Sequence, residues 1–297
     1  MLTGMQFLRL TNVILTTLMV LGGAIVASFW AVVAQRSVQG RDWVRGRSEC
    51  DWCHHKISWW QNIPLVSFLL LRGRCHYCRK LIRRLYFVWE ALLGAWTAIW
   101  FWCVSPLAPY LDATNLKVLD PFFADPSRIY ALAESLILLV VGAILIWTAI
   151  VDVYTHSIAN GWLAALGIAV VCLITVKICA GTCTWAWLVS RFLGSAGVGL
   201  VFGLIDYVAR RVWGQTGIGL GDTLLTMAVA WWLTLPQLTV MFLLAFWLGA
   251  IVGLLLMAFW KRSRSSAVAF LPFIVMAFFG AYFCGEWLWS LMVPGVV

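Results

Sequence analysis

Long charge-poor runs, separated by short polar breaks, set the pattern of this chain. Residues 11–33 carry no charge, and they exceed the ~20 residues that a helix needs to cross a bilayer core about 30 Å thick. Further apolar runs follow at 85–104, 129–151, 161–178, 185–208, 222–236, 238–260 and 267–289. The pattern predicts an all-α polytopic membrane protein of about eight transmembrane helices. The join at 235–238 is the weakest boundary, because two runs abut there with little polar material.

Charge then orients the spans. The polar segment 35–84 holds eleven of the chain's 21 lysines and arginines. An excess of cations marks a cytoplasmic loop, so this segment is expected inside and the N-terminus outside. The segment 105–128, with Asp112, Asp120 and Asp125, falls outside. The turn after the third span, the stretch that follows Arg210 and Arg211, and the loop with Lys261, Arg262 and Arg264 all fall inside. Three parts result: a first transmembrane helix (1–34), a cytoplasmic loop (35–84) and a transmembrane core (85–297).

Composition agrees with a lipid solvent. The chain is 63% hydrophobic and 11% charged, which excludes an ordinary soluble domain. Its 20 tryptophans fit interfacial and lipid-facing surface. A net charge of +9 would suggest nucleic acid in a soluble protein. Here the cations sit between spans, so the expected partner is the bilayer and no nucleic acid is expected. The apolar run after residue 10 is too long for a signal-peptide core and is read as the first span.

Two cysteine pairs stand in the cytoplasmic loop, Cys50-Asp51-Trp52-Cys53 and Cys75-His76-Tyr77-Cys78, with 21 residues between them. Two such knuckles supply four thiolates in the tetrahedral arrangement that suits structural zinc, with no position open for water. A reducing cytoplasm disfavours disulfides. His54, His55 and His76 are read as surface residues. Cys103, Cys172, Cys179, Cys183 and Cys284 are read as small apolar fillers in or near spans.

Two acids lie at span ends on the predicted cytoplasmic face. Asp152 follows the third span, and Asp222 closes the stretch Gly217-Ile218-Gly219-Leu220-Gly221-Asp222 and opens the sixth. A carboxylate at a membrane edge needs a reason. Two carboxyls sharing one proton can activate water and protonate a leaving amine. Gly219 and Gly221 would let the backbone turn and let a substrate approach closely. Helix dipoles favour charge on Asp222 at a helix N-terminus and disfavour it on Asp152 at a C-terminus, so Asp152 is expected to hold the shared proton. Glu90, near the inner end of the second span, is expected to contact substrate. Glu134, Glu286 and Asp206 are expected to pair with neighbouring helices, and His156 is read as a turn residue.

Taken together these residues resemble the bacterial prepilin peptidases, membrane aspartic proteases of the GxGD type. The resemblance rests on Gly46-Arg47-Ser48-Glu49-Cys50-Asp51-Trp52-Cys53, on Ile63-Pro64-Leu65-Val66-Ser67 with Leu71-Arg72-Gly73-Arg74-Cys75-His76-Tyr77-Cys78, on Val88-Trp89-Glu90, on Asp152, on Gly219-Leu220-Gly221-Asp222 and on Ala269-Phe270-Leu271-Pro272-Phe273. It covers nearly the whole chain. It implies a multi-pass enzyme of the bacterial inner membrane that removes a short basic leader from prepilins or pseudopilins at the cytoplasmic face. It also implies N-methylation of the new amino terminus with S-adenosylmethionine, an activity to which no residue is assigned. Asp152 and Asp222 match the catalytic pair, and Cys50, Cys53, Cys75 and Cys78 match the zinc ligands. The chain departs from the family pattern at Leu224, where a lysine is common, at Ala159, where a proline is common, and at Ala31-Val32, where an Asn-Val is common. Two other classes remain open at this point: an assembly factor that docks pilins through its zinc loop, and a transporter using its membrane acids.

Overall fold

The computed structural model describes residues 4–38, 47–50, 52–107, 124–155, 158, 160–214, 216–260 and 269–293. Asp51, Asp112, Asp120, His156, Ala159, Lys261, Arg262 and Arg264 lie outside the described residues. Within them the chain is helical, with two isolated β-bridges and no strand. The helices are α1 (Gly4–Val38), α2 (Val66–Leu70), α3 (Arg84–Cys103), α4 (Pro126–Thr155), α5 (Asn160–Cys179), α6 (Trp185–Trp213), α7 (Leu220–Val229), α8 (Leu235–Trp260) and α9 (Leu271–Met292).

Seven of these are long and apolar enough to cross a membrane, namely α1, α3, α4, α5, α6, α8 and α9. The expected all-α polytopic class therefore stands, but the segment expected as the sixth span is α7, ten residues long. At 1.5 Å per residue it covers about 15 Å, half of a hydrocarbon core. A 3-10 turn (Ala230–Trp232) ends it. The next helix starts at Leu235 because Thr234 and Gln237 cap it reciprocally. The Thr234 N–H donates to Gln237 Oε1 at 2.9 Å, and the Gln237 N–H faces Thr234 Oγ1 at 3.4 Å, the two bonds of a capping box. Glu286 on α9 accepts the Thr234 hydroxyl at 2.6 Å.

The chain forms two compact units, residues 1–143 and 144–297, with the boundary inside α4. In the first, α1 packs on α3 through facing glycines. A Cβ on Gly23 would lie 2.7 Å from the Leu93 carbonyl, and one on Gly94 would lie 2.8 Å from the Val20 carbonyl. Small residues let helix backbones approach this closely in lipid.

The tryptophans of α3 depart from the interfacial reading. Trp89, Trp96 and Trp100 are buried. Their indole N–H groups donate to the carbonyls of Ala27, Leu139 and Ser135, and Trp102 donates to Thr16 Oγ1. A ring with one donor fills the apolar contact while its N–H finds a partner on the next helix. The cysteines read as fillers also differ. Cys103, Cys172, Cys179 and Cys284 are exposed.

In the second unit, α8 packs on α9 and the short α7 packs on α5 and α6. A run of rings, Phe202, Phe242, Phe246, Phe270 and Phe273, links α6, α8 and the start of α9. Phe270 and Phe273 come from the late proline motif, and both reach the space beside Gly249.

Candidate functional site

The four cysteines of the knuckles converge. Their sulfurs all lie within 4.8 Å of one another, and Cys50 Sγ is 3.9 Å from Cys78 Sγ. A tetrahedral zinc with bonds of about 2.3 Å requires sulfur spacings of about 3.8 Å, so the donor set fits that ion. Both knuckles use the same local fold. Each has an antiparallel bridge from the residue before its first cysteine to the sixth residue after it, Glu49 with Lys56 and Arg74 with Leu81. The amides of Cys50 and Cys75 donate to the carbonyls of His55 and Lys80, at 3.0 and 2.9 Å. Each places a left-handed residue just after its second cysteine, His54 and Arg79. His55 packs on Tyr77, and His76 packs edge-on against Trp60, while the donor atoms that converge are the four sulfurs.

The thiols differ in acidity. Burial pushes Cys50 up to about 11, against the pull of the Cys53 and Trp52 amides. Burial also opposes ionisation of Cys75, but the amides of Cys78 and Tyr77 and the neighbouring thiols outweigh it and bring Cys75 to about 7. Cys75 is thus the more readily ionised of these two thiols.

Glu90 lies in this same unit. It is 9% exposed, and its Oε2 accepts the Leu65 N–H at 2.8 Å. Leu65 has φ 62 and ψ −52, and the Val66 N–H reaches the Pro64 carbonyl at 2.6 Å. That is a γ-turn of the rare positive-φ kind, strained for a branched side chain. Glu90 therefore clamps a strained turn between the knuckles, a contact that the sequence reading missed. It also lines a cavity of about 170 Å³ with Ser28, Cys50, Trp52, Tyr77 and Phe87. Replacing Glu90 with Ala leaves the Leu65 amide without its acceptor and should cost about 1–3 kcal/mol. In a Leu65→Gly background there is no strain for the turn to release when the clamp is lost, so the loss should grow by at least ~0.5 kcal/mol. Thermal melts of the two single variants and the double variant measure that coupling.

The aspartates belong to the second unit. Asp152 is 6% exposed. It lies within α4 rather than in the turn expected after it, because the helix runs on to Thr155. Asp222 occupies the first turn of α7, which is not one of the seven spans. Thr226 Oγ1 donates to the Asp222 carbonyl at 2.7 Å. The two carboxyls are close enough to interact. Burial first, and the Asp152 charge second, push Asp222 up to about 6. Burial and the neighbouring charge thus bias Asp222 toward its protonated form, and one proton held between the two carboxyls belongs to the pair. In Asp152→Asn the Asp222 carboxyl should titrate below about 6 but stay above the ordinary 3.8, because burial remains. Infrared titration reads this directly. An unchanged Asp222 would show that the two carboxyls do not sense each other.

The glycines act by close approach rather than by turning. Gly219 is extended (φ −67, ψ 144), and neither it nor Gly221 has positive φ. A Cβ on Gly219 would sit 3.5 Å from Asp222 Oδ2, and one on Gly221 would press on Ile158 Cδ1 at 3.2 Å. Asp206 of α6 joins this site. It accepts the Gly217 N–H at 3.0 Å and the Arg210 Nε–H at 2.8 Å. Its four-residue spacing from Arg210 was readable along the chain, but its hold on Gly217 was not.

Residues 21–104 match the family described as Bacterial Peptidase A24 N-terminal domain. Over most of its length the chain is similar to proteins named prepilin leader peptidase/N-methyltransferase. It is 28% identical over 235 residues to one from Myxococcus xanthus, which covers 79% of this chain and 61% of that protein. It is also 28% identical over 249 residues to one from Burkholderia pseudomallei, which covers 80% of this chain and 68% of that protein. A shorter stretch is 50% identical over 81 residues to one from Vibrio cholerae, 25% of this chain and 32% of that relative. The chain thus spans about three fifths of the length of the Myxococcus relative. No solved structure matches it. The resemblance to prepilin peptidases is borne out by these relatives, and the seven apolar helices make the chain a multi-pass membrane protein.

Proposed function

We propose that this chain is a membrane aspartic endopeptidase that removes the short basic leader from type IV prepilin-like proteins at the cytoplasmic face of the bacterial inner membrane. The observation that carries this reading is the meeting of Asp152 and Asp222, two acids 70 positions apart, with the Asp222 carboxyl held up to about 6 beside Asp152. The names of the relatives support the substrate class.

The chemistry follows from one proton shared by two carboxyls. Asp152, ionised, takes a proton from water as that water attacks the scissile carbonyl. Asp222 gives its proton to the carbonyl oxygen, and a neutral gem-diol forms. As the diol collapses, the C–N bond breaks, a diol proton returns to Asp222, and Asp152 passes its proton to the leaving amine. Both acids end as they began. Gly219 and Gly221 keep the approach to Asp222 open, and Glu90 holds the loop that lines the knuckle cavity. Cys50, Cys53, Cys75 and Cys78 would hold zinc, which supplies a structural tie and no open coordination position. The division of labour we propose is an anchor (1–34), a zinc loop (35–84) and a protease core (85–297). N-methylation of the new amino terminus, with S-adenosylmethionine as donor, is a second activity that the relatives' names support. The residues assigned above serve the hydrolysis alone.

The test is cleavage of a model prepilin by full-length protein in proteoliposomes, read as the size shift on leader loss. Cleavage ahead of the hydrophobic helix supports the reading. Absence of cleavage by folded, zinc-loaded protein across several prepilins would move it to a docking factor. A proton flux without cleavage would move it to a transporter.

A further inference from the structure

We propose that Asp206 is a positioning residue for the aspartate pair, holding the glycine stretch against α6 so that the short helix α7 presents Asp222 in register. The inference rests on the peptidase reading above.

Helix α6 ends at Gly214, which adopts a left-handed conformation and reverses the chain. The returning backbone meets the helix it has just left. Asp206 Oδ1 accepts the Gly217 N–H at 3.0 Å, and the Ile218 N–H is a second backbone donor to the same carboxylate. Asp206 Oδ2 is held by Arg210 Nε at 2.8 Å. Glycine is required at 217 for this approach. A Cβ there would sit 2.7 Å from the Ala209 Cβ and 3.3 Å from the Ile205 carbonyl. Two residues later Gly219 begins α7 with no side-chain cap, and Asp222 follows in the first turn. The far end of α7 is tied to the same helix, since the Ser195 hydroxyl donates to the Met227 carbonyl at 2.9 Å.

A ten-residue helix bound to α6 at both ends has little freedom to slide or roll. That matters here because a carboxyl misplaced by about 1 Å can lose 10²-fold in rate. An exposed pair at four-residue spacing, such as Asp206 with Arg210, is worth little by itself. The second oxygen, spent on the backbone that launches Asp222, gives the residue its role. Both oxygens are engaged, so Asp206 is not a third acid of the reaction.

The test compares Asp206→Ala and Asp206→Asn in the full-length, zinc-loaded protein. Asparagine keeps an oxygen for the Gly217 N–H and alanine does not. Alanine should lower kcat about 10²-fold with KM unchanged, and asparagine should restore most of it. The infrared titration of Asp222, assigned by difference against Asp222→Asn, should move in the alanine variant and stay in place in the asparagine variant. The proposal is overturned if alanine cleaves at the wild-type rate, if alanine and asparagine are equally impaired, or if a folded asparagine variant is inactive. Failure of the wild type to cleave would count against the peptidase reading instead, and the Asp222 titration would still decide the role of Asp206.

Discussion

Asp152→Asn and Asp222→Asn should each lower prepilin cleavage by about 10³-fold or more while leaving the fold intact. General acid and general base contributions are each worth about 10²–10⁴-fold. In a dyad with one shared proton, removing either partner disables both roles, so the double variant should be little worse than either single one. Asparagine is close to isosteric and removes a charge from a buried site, so it should not destabilise the helices. Leader-cleavage rates, paired with melting curves, separate the two effects. A variant that keeps more than a tenth of wild-type activity would remove that residue from the chemistry. The same assay bears on Leu224, which is 43% exposed on α7. Activity in the wild type would make a lysine at that position dispensable.

The second large effect concerns the metal. The protein should carry one zinc per chain, and Cys50→Ser should lose it. Structural zinc sites contribute on the order of 10–16 kcal/mol of apparent binding energy that doubles as folding energy. Losing one sulfur should weaken the site by well over the ~10²-fold that outer-sphere changes cause. Without the metal the knuckles are left with backbone bonds, two bridges and a few side-chain contacts at the surface. Limited proteolysis should then cut the loop, while the helices of the second unit stay protected. The pH dependence has a definite sign. The ligands bind as thiolates, so each proton that must leave makes binding weaker as pH falls. With Cys75 near 7 and Cys50 near 11, affinity should drop steadily on acidification below neutrality. Zinc retention after dialysis across pH 5 to 8 checks this. Retention that does not vary with pH, or a Cys50→Ser protein that keeps full zinc, would contradict the four-sulfur site.

Much of the site was legible because its chemistry is local. Paired cysteines two residues apart announce a metal knuckle whatever surrounds them. The long apolar runs announce spans, since length and hydropathy are properties of the run alone. Asp152 and Asp222 were singled out by sitting at the ends of such runs. Other features were hidden. The run from 222 to 260 is almost unbroken in hydropathy, so nothing along it marks α7 as half a span. Its end depends on the Thr234–Gln237 cap, tied down by Glu286 from a helix some fifty residues away. The strained turn at Leu65 exists because Glu90, 25 residues on, accepts its amide. The tryptophans of α3 looked interfacial by type and became interior donors because carbonyls of α1 and α4 lie within their reach.

Membrane class, the zinc-binding chemistry and the identity of the two acids are set by residue type and spacing, which need no partner to express them. Folding decides how far Asp222 is desolvated, what the glycines are for and where α7 stops. The helix dipole, a local effect, favours ionised Asp222. Burial and the charge of Asp152, supplied by distant parts of the chain, oppose that preference at Asp222. Gly217 and Gly221 look like turn residues in isolation, yet their constraint comes from Ala209 and Ile158 pressed against them. Proximity and desolvation belong to the neighbours a residue acquires, and those neighbours exist only once the chain has folded.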